Sequence, residues 1–193
     1  MKKLIAMLLA LTCVFGLVAC GGNATNNNET PETTVEVIKP ASALEVLEKT
    51  WAAVEEDSKF PVMGGDFENL VDGAPGNYSL TDEGLSSTLL IPETEIANVD
   101  QVASVVHAMM LNNFTFGAYH VTGDVAAFVE AMHTAITGNR WMCGMPEKLI
   151  IAVVGGEYVV AGFGINDAVA PFEAAFTATY PDAEMKYNEA ITG

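Results

Sequence analysis

Positive charge is scarce in this sequence: 8 Lys and Arg stand against 25 Asp and Glu, for a formal charge of −17. Beyond Phe60 the basic side chains are Arg140, Lys148 and Lys186. So few groups to neutralise phosphates argue against nucleic-acid binding, and the same deficit disfavours adsorption to anionic lipid. Cysteine is equally thin, at positions 13, 20 and 143. Missing too are the GxSxG, Ser-x-x-Lys and HExxH patterns of hydrolases and zinc enzymes, the CxxC and HxxxH spacings of metal sites, and any internal repeat of about 20 to 50 residues. What is abundant is acid, which keeps a domain soluble and would attract cations or a basic peptide.

The chain opens MKKLIAMLLALTCVFGLVACGG: Lys2 and Lys3, an apolar run from Leu4 through Val18, then small residues around Cys20. This is a charged n-region and a hydrophobic h-region before a cleavage site. The run is shorter than the roughly 20 apolar residues that span a hydrocarbon core, so it reads as an export signal over residues 1–19. Leu17-Val18-Ala19-Cys20-Gly21 resembles the lipobox of bacterial lipoproteins. The resemblance implies cleavage before Cys20 and a diacylglyceryl thioether on its sulfur, and two acyl chains suffice for stable anchoring. Cleavage removes Lys2 and Lys3 and no acid, so the charge moves from −17 to −19. Cys13 leaves with the signal, and with Cys20 lipidated Cys143 has no internal partner, so the fold must rest on its core.

Residues 20–40 contain GGNATNNNETPETTVEVIKP, almost free of large apolar side chains until Val35. Such a stretch cannot offset the entropy of ordering its backbone and reads as a flexible tether. Residues 41–193 are the right length for one domain with a single core.

Within that domain, Ser42-Ala43-Leu44-Glu45 has the form of a capping box, followed by Leu44, Leu47, Trp51 and Val54 on one helical stripe to about Glu56. The stretch from Phe60 to Leu80, broken by Gly64-Gly65, Gly73, Pro75 and Gly76, reads as loops around a short apolar insert at Phe67, Leu70 and Val71. Thr81 or Asp82 caps a short helix through Leu89, and Pro92 starts another turn. Residues 101–121 suit a hairpin better than a helix, with Asn112-Asn113 at the turn. Asp124 to Thr137 reads as a helix ended by Gly138. LIIAVV, Gly155-Gly156 and EYVVAGFGI form the clearest hairpin. Asn166 starts a last helix that Pro181 stops, and Glu184 to Ile191 adds an edge strand. Paired strands between single helices predict an α+β fold, an antiparallel or mixed sheet built from hairpins with helices packed on one face.

From Met109 onward, the succession of a strand with Phe-Gly-Ala-Tyr, an alanine-rich helix ending near Asn139-Arg140, a hydrophobic strand and Gly-Glu-Tyr-Val-Val resembles small Gram-positive, clostridial-type lipoproteins with an uncharacterised C-terminal α+β domain. The resemblance covers roughly Val102 to Tyr180. It implies the outer face of the cell membrane in a Gram-positive bacterium and transfers no catalytic residue.

Apart from the lipidation site Cys20, three residues are candidates. Cys143, in NRWMCGMPEK, needs a histidine and an orienting group to act as a nucleophile. His107 and His120 would face each other across a hairpin turning at Asn112-Asn113, and could recruit zinc only with a third ligand. Met142, Cys143 and Met145 offer soft sulfur suited to copper(I), but the plainer expectation is that Cys143 is a small buried hydrophobe and that Trp141 and Met142 plug a seam between helix and sheet. Gly64-Gly65-Asp66-Phe67-Glu68-Asn69 gathers oxygen ligands yet lacks the spacing of a calcium loop, and reads as a solvated turn. Gly162-Phe163-Gly164 lacks the glycine spacing and lysine of a phosphate loop.

No catalytic residue, metal or cofactor is implied. The chain reads as a lipid-anchored extracytoplasmic module that binds a ligand or a partner protein without chemistry. An accessory subunit of a membrane transport or envelope complex, or a cysteine-dependent enzyme built on Cys143, are the alternatives.

Overall fold

The structure, a computed structural model, describes residues 38–192. The expected export signal, the expected lipidation site Cys20 and most of the expected tether lie outside the described residues. Helix α1 spans Ala43–Ala53. The Ser42 hydroxyl accepts from the Glu45 N–H at 3.1 Å, while the Glu45 carboxylate reaches back to the Ala41 N–H, one residue earlier than an ideal capping box. Three short strands follow, β1 (Val62–Gly64), β2 (Val71–Asp72) and β3 (Gly76–Tyr78), then the one-turn helix α2 (Gly84–Ser87). Strands β4 (Val99–His107) and β5 (Phe114–Val121) form the first long hairpin, and helix α3 (Val125–Thr137) leads into the second, β6 (Lys148–Val154) and β7 (Tyr158–Gly164). Helix α4 (Asn166–Thr179) and the edge strand β8 (Glu184–Ala190) complete the chain.

All eight strands join one antiparallel sheet in the order β2-β1-β4-β5-β7-β6-β8, with β3 also paired to β4. The α+β class and the hairpin-built sheet are those expected from the sequence. The helices, however, occupy both faces rather than one. Period-two alternation sends Phe114, Phe116 and Ala118 of β5 into a core with α1 and α4, and Tyr119 and Val121 into a second core with α3 and the segment from Tyr78 to Ile91. A strand buried on both faces reads as an unbroken apolar run, and LIIAVV in β6 is such a run: Ile150, Ala152 and Val154 face one core, Leu149, Ile151 and Val153 the other.

The segment expected to be loops contributes three strands instead. Each has two or three residues, too few for any pattern, and pairing to one another and to the long strand β4 fixes them, as in Val62 opposite His107 and Asn77 opposite Ala103. The glycines of Gly162-Phe163-Gly164 lie within β7, not at a helix start: a Cβ on Gly162 would sit 2.4 Å from the Phe116 ring and 2.4 Å from the Thr115 carbonyl oxygen.

The sheet has two distinct ends. At one, the incoming chain is pinned where Lys39 pairs with Glu157 at 2.9 Å and the Ile38 N–H donates to Asp182 at 2.8 Å. Gly155 and Gly156, both with positive φ, turn β6 into β7 at that end. The opposite end carries the β4–β5 connection, residues 108–113, and the α3–β6 connection, residues 138–147. Six residue steps separate the paired positions Phe114/Gly164 from His120/Tyr158, about 20 Å at the rise of a strand.

Candidate functional site

The end of the sheet remote from Ile38 is built by two loops tied together. Asn112 projects its amide from the first to the second, its Nδ2 donating to the Met142 carbonyl at 2.7 Å and the Gly144 carbonyl at 2.6 Å. His107 shapes the first loop: its Nδ1 accepts from the Met109 and Met110 N–H groups at 3.1 and 3.3 Å, and its ring stacks on Phe60 with centroids 5.3 Å apart. With its backbone folded back onto His107, the loop turns its apolar side chains outward. Met109 is 82 % exposed and Met142, on the facing loop, 76 %.

Met109, Met110, Leu111, Asn112, Met142 and Cys143 border a shallow depression of about 280 Å³. Leu111 also borders a neighbouring depression of about 340 Å³ walled by Phe67, Leu70 and Tyr78. Phe67, at 93 %, is almost fully exposed. Solvated large apolar side chains gathered in one place mark an interaction surface.

Cys143 does not fill the core. It is a free, exposed thiol with φ 63°, followed by Gly144 at φ 116°. Met142 likewise points away from the seam it was expected to plug. That part falls to Trp141, whose ring lies 4.7 Å from Phe163 on the α3 side of the sheet, and to the buried Pro146. Cys143 and Gly144 both take positive φ and bend the chain, and Met142 to Met145 stand exposed between Trp141 and Pro146.

The histidines do not gather around Cys143. The hairpin register pairs His120 with Gln101, six positions along β4 from His107, so these two histidines sit at opposite ends of the sheet. The connection starts at Ala108, earlier than the asparagine pair suggests, and shifts the register. His120 Nδ1 lies 2.5 Å from Asp100, its Nε2 lies 3.5 Å from Glu157, and its ring packs on Tyr158, all beside the Lys39 ion pair. The Lys39 hydrogen bond and charge hold the Glu157 carboxyl below its usual range. His133, on α3, meets Glu189 at 2.8 Å and stacks on Tyr187, tying the helix to the edge strand. None of the hydrogen bonds made by these histidines engages Cys143. Among the described residues, no group of three His, Cys, Asp or Glu side chains is placed to hold a metal ion.

The acidic turn is solvated from Phe67 to Asp72, as expected, but Asp66 itself is buried and acts as a staple. Its carboxylate is 3 % exposed and accepts the N–H groups of Glu68, Asn69 and Ser79 at 3.0, 2.8 and 2.8 Å. Burial pushes this carboxyl up, but the combined donors outweigh burial and leave it below the ordinary aspartate range. With its oxygens spent on the backbone, Asp66 holds Phe67 and Leu70 out on the surface.

Another depression, about 480 Å³, lies between α3 and β8. Its polar groups satisfy one another: Tyr187 donates to Glu130 at 2.6 Å and Lys186 pairs with Glu184 at 2.5 Å. It contains none of the candidate site residues Cys143, His107 and His120.

Phe67 and Leu70 were legible in the sequence as an apolar insert among loops, whereas the exposure of Met109, Met110 and Leu111 was concealed. Their one visible signal was Met109-Met110-Leu111 directly before a polar turn, where strand alternation has already stopped.

These features define a three-layer α+β domain with an apolar loop cluster at one end of its sheet. No family model, curated protein or solved structure matches the chain. Among the described residues no helix is long and apolar enough to cross a membrane.

Proposed function

We propose that this chain is a lipid-anchored extracytoplasmic docking module, acylated at Cys20, that holds a basic segment with an apolar core, supplied by an envelope or membrane protein, against the methionine-rich end of its sheet. The observation that carries this reading is the gathering of Phe67, Leu70, Met109, Leu111 and Met142 around two depressions that meet at Leu111. Methionine is unbranched and polarizable, so such a surface repacks around an incoming apolar side chain. The methionine-bearing part of the surface lies at the end of the sheet opposite the pinned residues Ile38 and Lys39, and Phe67 and Leu70 extend it along the β4 side of the sheet.

Charge selects the occupant. Glu68, Asp72 and Glu147 stand exposed on the same loops and strands, in a chain of formal charge −17. An anionic bilayer is repelled by that field, whereas a protein segment rimmed by Lys and Arg is drawn in. The lipobox and the resemblance to small Gram-positive lipoproteins support a site of action on the outer face of the cell membrane. The partner is then a neighbouring envelope protein, including a subunit of a membrane transport complex.

The test is the full-length protein extracted from membranes after mild crosslinking, compared with the double substitution Met109→Glu, Met142→Glu. Both positions are exposed, so the unfolding midpoint should stay at the parent's value. Recovery of a crosslinked partner should fall by about tenfold or more, and raising the ionic strength should weaken recovery by the parent. A variant that recovers the same partner at the parent's level contradicts the reading.

A further inference from the structure

Four sulfur-bearing residues border the smaller depression: Met109 and Met110 from the β4–β5 connection, Met142 and Cys143 from the α3–β6 connection. The two loops are thirty residues apart in sequence and are held together across Cys143 by the two hydrogen bonds of Asn112. We propose that this cluster is a binding site for copper(I), with the Cys143 thiolate and the thioethers of Met142 and of Met109 or Met110 as ligands.

Ligand chemistry selects the ion. Thiolate and thioether sulfur suit soft copper(I), while zinc is held by sets of Cys, His and carboxylate. The nearest imidazole, His107, already spends Nδ1 on the Met109 and Met110 N–H groups. Binding replaces the thiol proton of Cys143 with Cu⁺ and releases one H⁺, with copper remaining in the +1 state. The product, one thiolate and one Cu⁺, is neutral and suits a rim that includes Leu111. Flexible thioethers on exposed loops adjust to the low coordination numbers that copper(I) accepts. Solvation of three methionines in one place, wasteful in a surface with no ligand, then has a chemical use.

This inference goes beyond the docking reading and does not depend on it, because copper uptake is measured with no partner present. Full-length protein, extracted from membranes in detergent and kept reduced and anaerobic, is titrated against the copper(I) complex of bicinchoninate. The protein should withdraw one equivalent of copper(I). Cys143→Ser, and Met109→Leu combined with Met142→Leu, should each weaken uptake by at least about tenfold, and zinc should not compete. On the unmutated protein, NMR of ¹³C-methyl methionine should show the Met142 methyl and one of the Met109 and Met110 methyls shifting as copper(I) or silver(I) is added. Equal uptake by the parent and Cys143→Ser overturns the proposal. So does uptake that leaves every one of those methyls unmoved, which would mark a simple thiol adduct.

Discussion

At the scale of single residues, the loops that present the apolar cluster depend on a few buried polar contacts. Asp66 is the clearest: replacing it by Ala strands the N–H groups of Glu68, Asn69 and Ser79. Asp66→Ala should cost about 1–3 kcal/mol, read as a lower unfolding midpoint. The pH dependence has a definite sign. A carboxyl held below its ordinary range contributes stability that is present above the unfolded value of about 4 and is lost as pH falls through the lower folded value. The stability gap between parent and Asp66→Ala should therefore be full at pH 6 and shrink below about pH 4, measured by urea unfolding at each pH. Gly162→Ala puts a methyl 2.4 Å from the Phe116 ring, and should destabilise by about 1–3 kcal/mol or more. Neither contact was legible in the sequence. Asp66 reads as surface because its partners are backbone groups made available only by the fold, and the need for glycine at 162 is hidden because the Phe116 ring it meets comes from another strand.

Elements were the most legible scale, for reasons that can be named residue by residue. Asp124 accepts the Ala126 and Ala127 N–H groups at 2.9 and 3.1 Å, and Gly138 ends the helix, so both termini of α3 are written in local chemistry. Gly155-Gly156 likewise supplies positive φ where β6 turns into β7. Strands β1, β2 and β3 were hidden because the pairing that creates them is remote. The double-sided burial of β6 was visible in LIIAVV, but one-sided packing gave that run no explanation. Its consequence is measurable. Leu47 of α1 and Met132 of α3 are both fully buried, on opposite faces of the sheet. Leu47→Ala and Met132→Ala should each cost about 2–5 kcal/mol, and their effects should add in the double variant, because the sheet separates the two cavities. A much smaller cost for Met132→Ala in chemical denaturation would indicate a single core on the α1 side.

At the scale of the whole molecule, polarity along the sheet organises the account. The incoming chain is fastened at one end, by Lys39 to Glu157 and Ile38 to Asp182, and the exposed methionines occupy the other. Anchoring should depend on Cys20 alone: Cys20→Ser should move the protein from the membrane fraction to the soluble fraction without changing its unfolding midpoint, as followed by fractionation and thermal melts. The lipobox was legible in the sequence and carries the anchoring proposal, whereas only part of the proposed docking end was legible. NRWMCGMPEK stood out in the sequence, but the proposed docking surface also needs Met109 and Met110, which Asn112, thirty residues away, ties to it through the Met142 and Gly144 carbonyls. The most direct measurement of the docking claim is a comparison in living cells between a photoreactive amino acid at Met142 and one at Gly156, at opposite ends of the sheet. A discrete adduct with one envelope protein from position 142, and none from position 156, is the predicted result. Adducts of equal yield from both positions, or none from position 142, would contradict it.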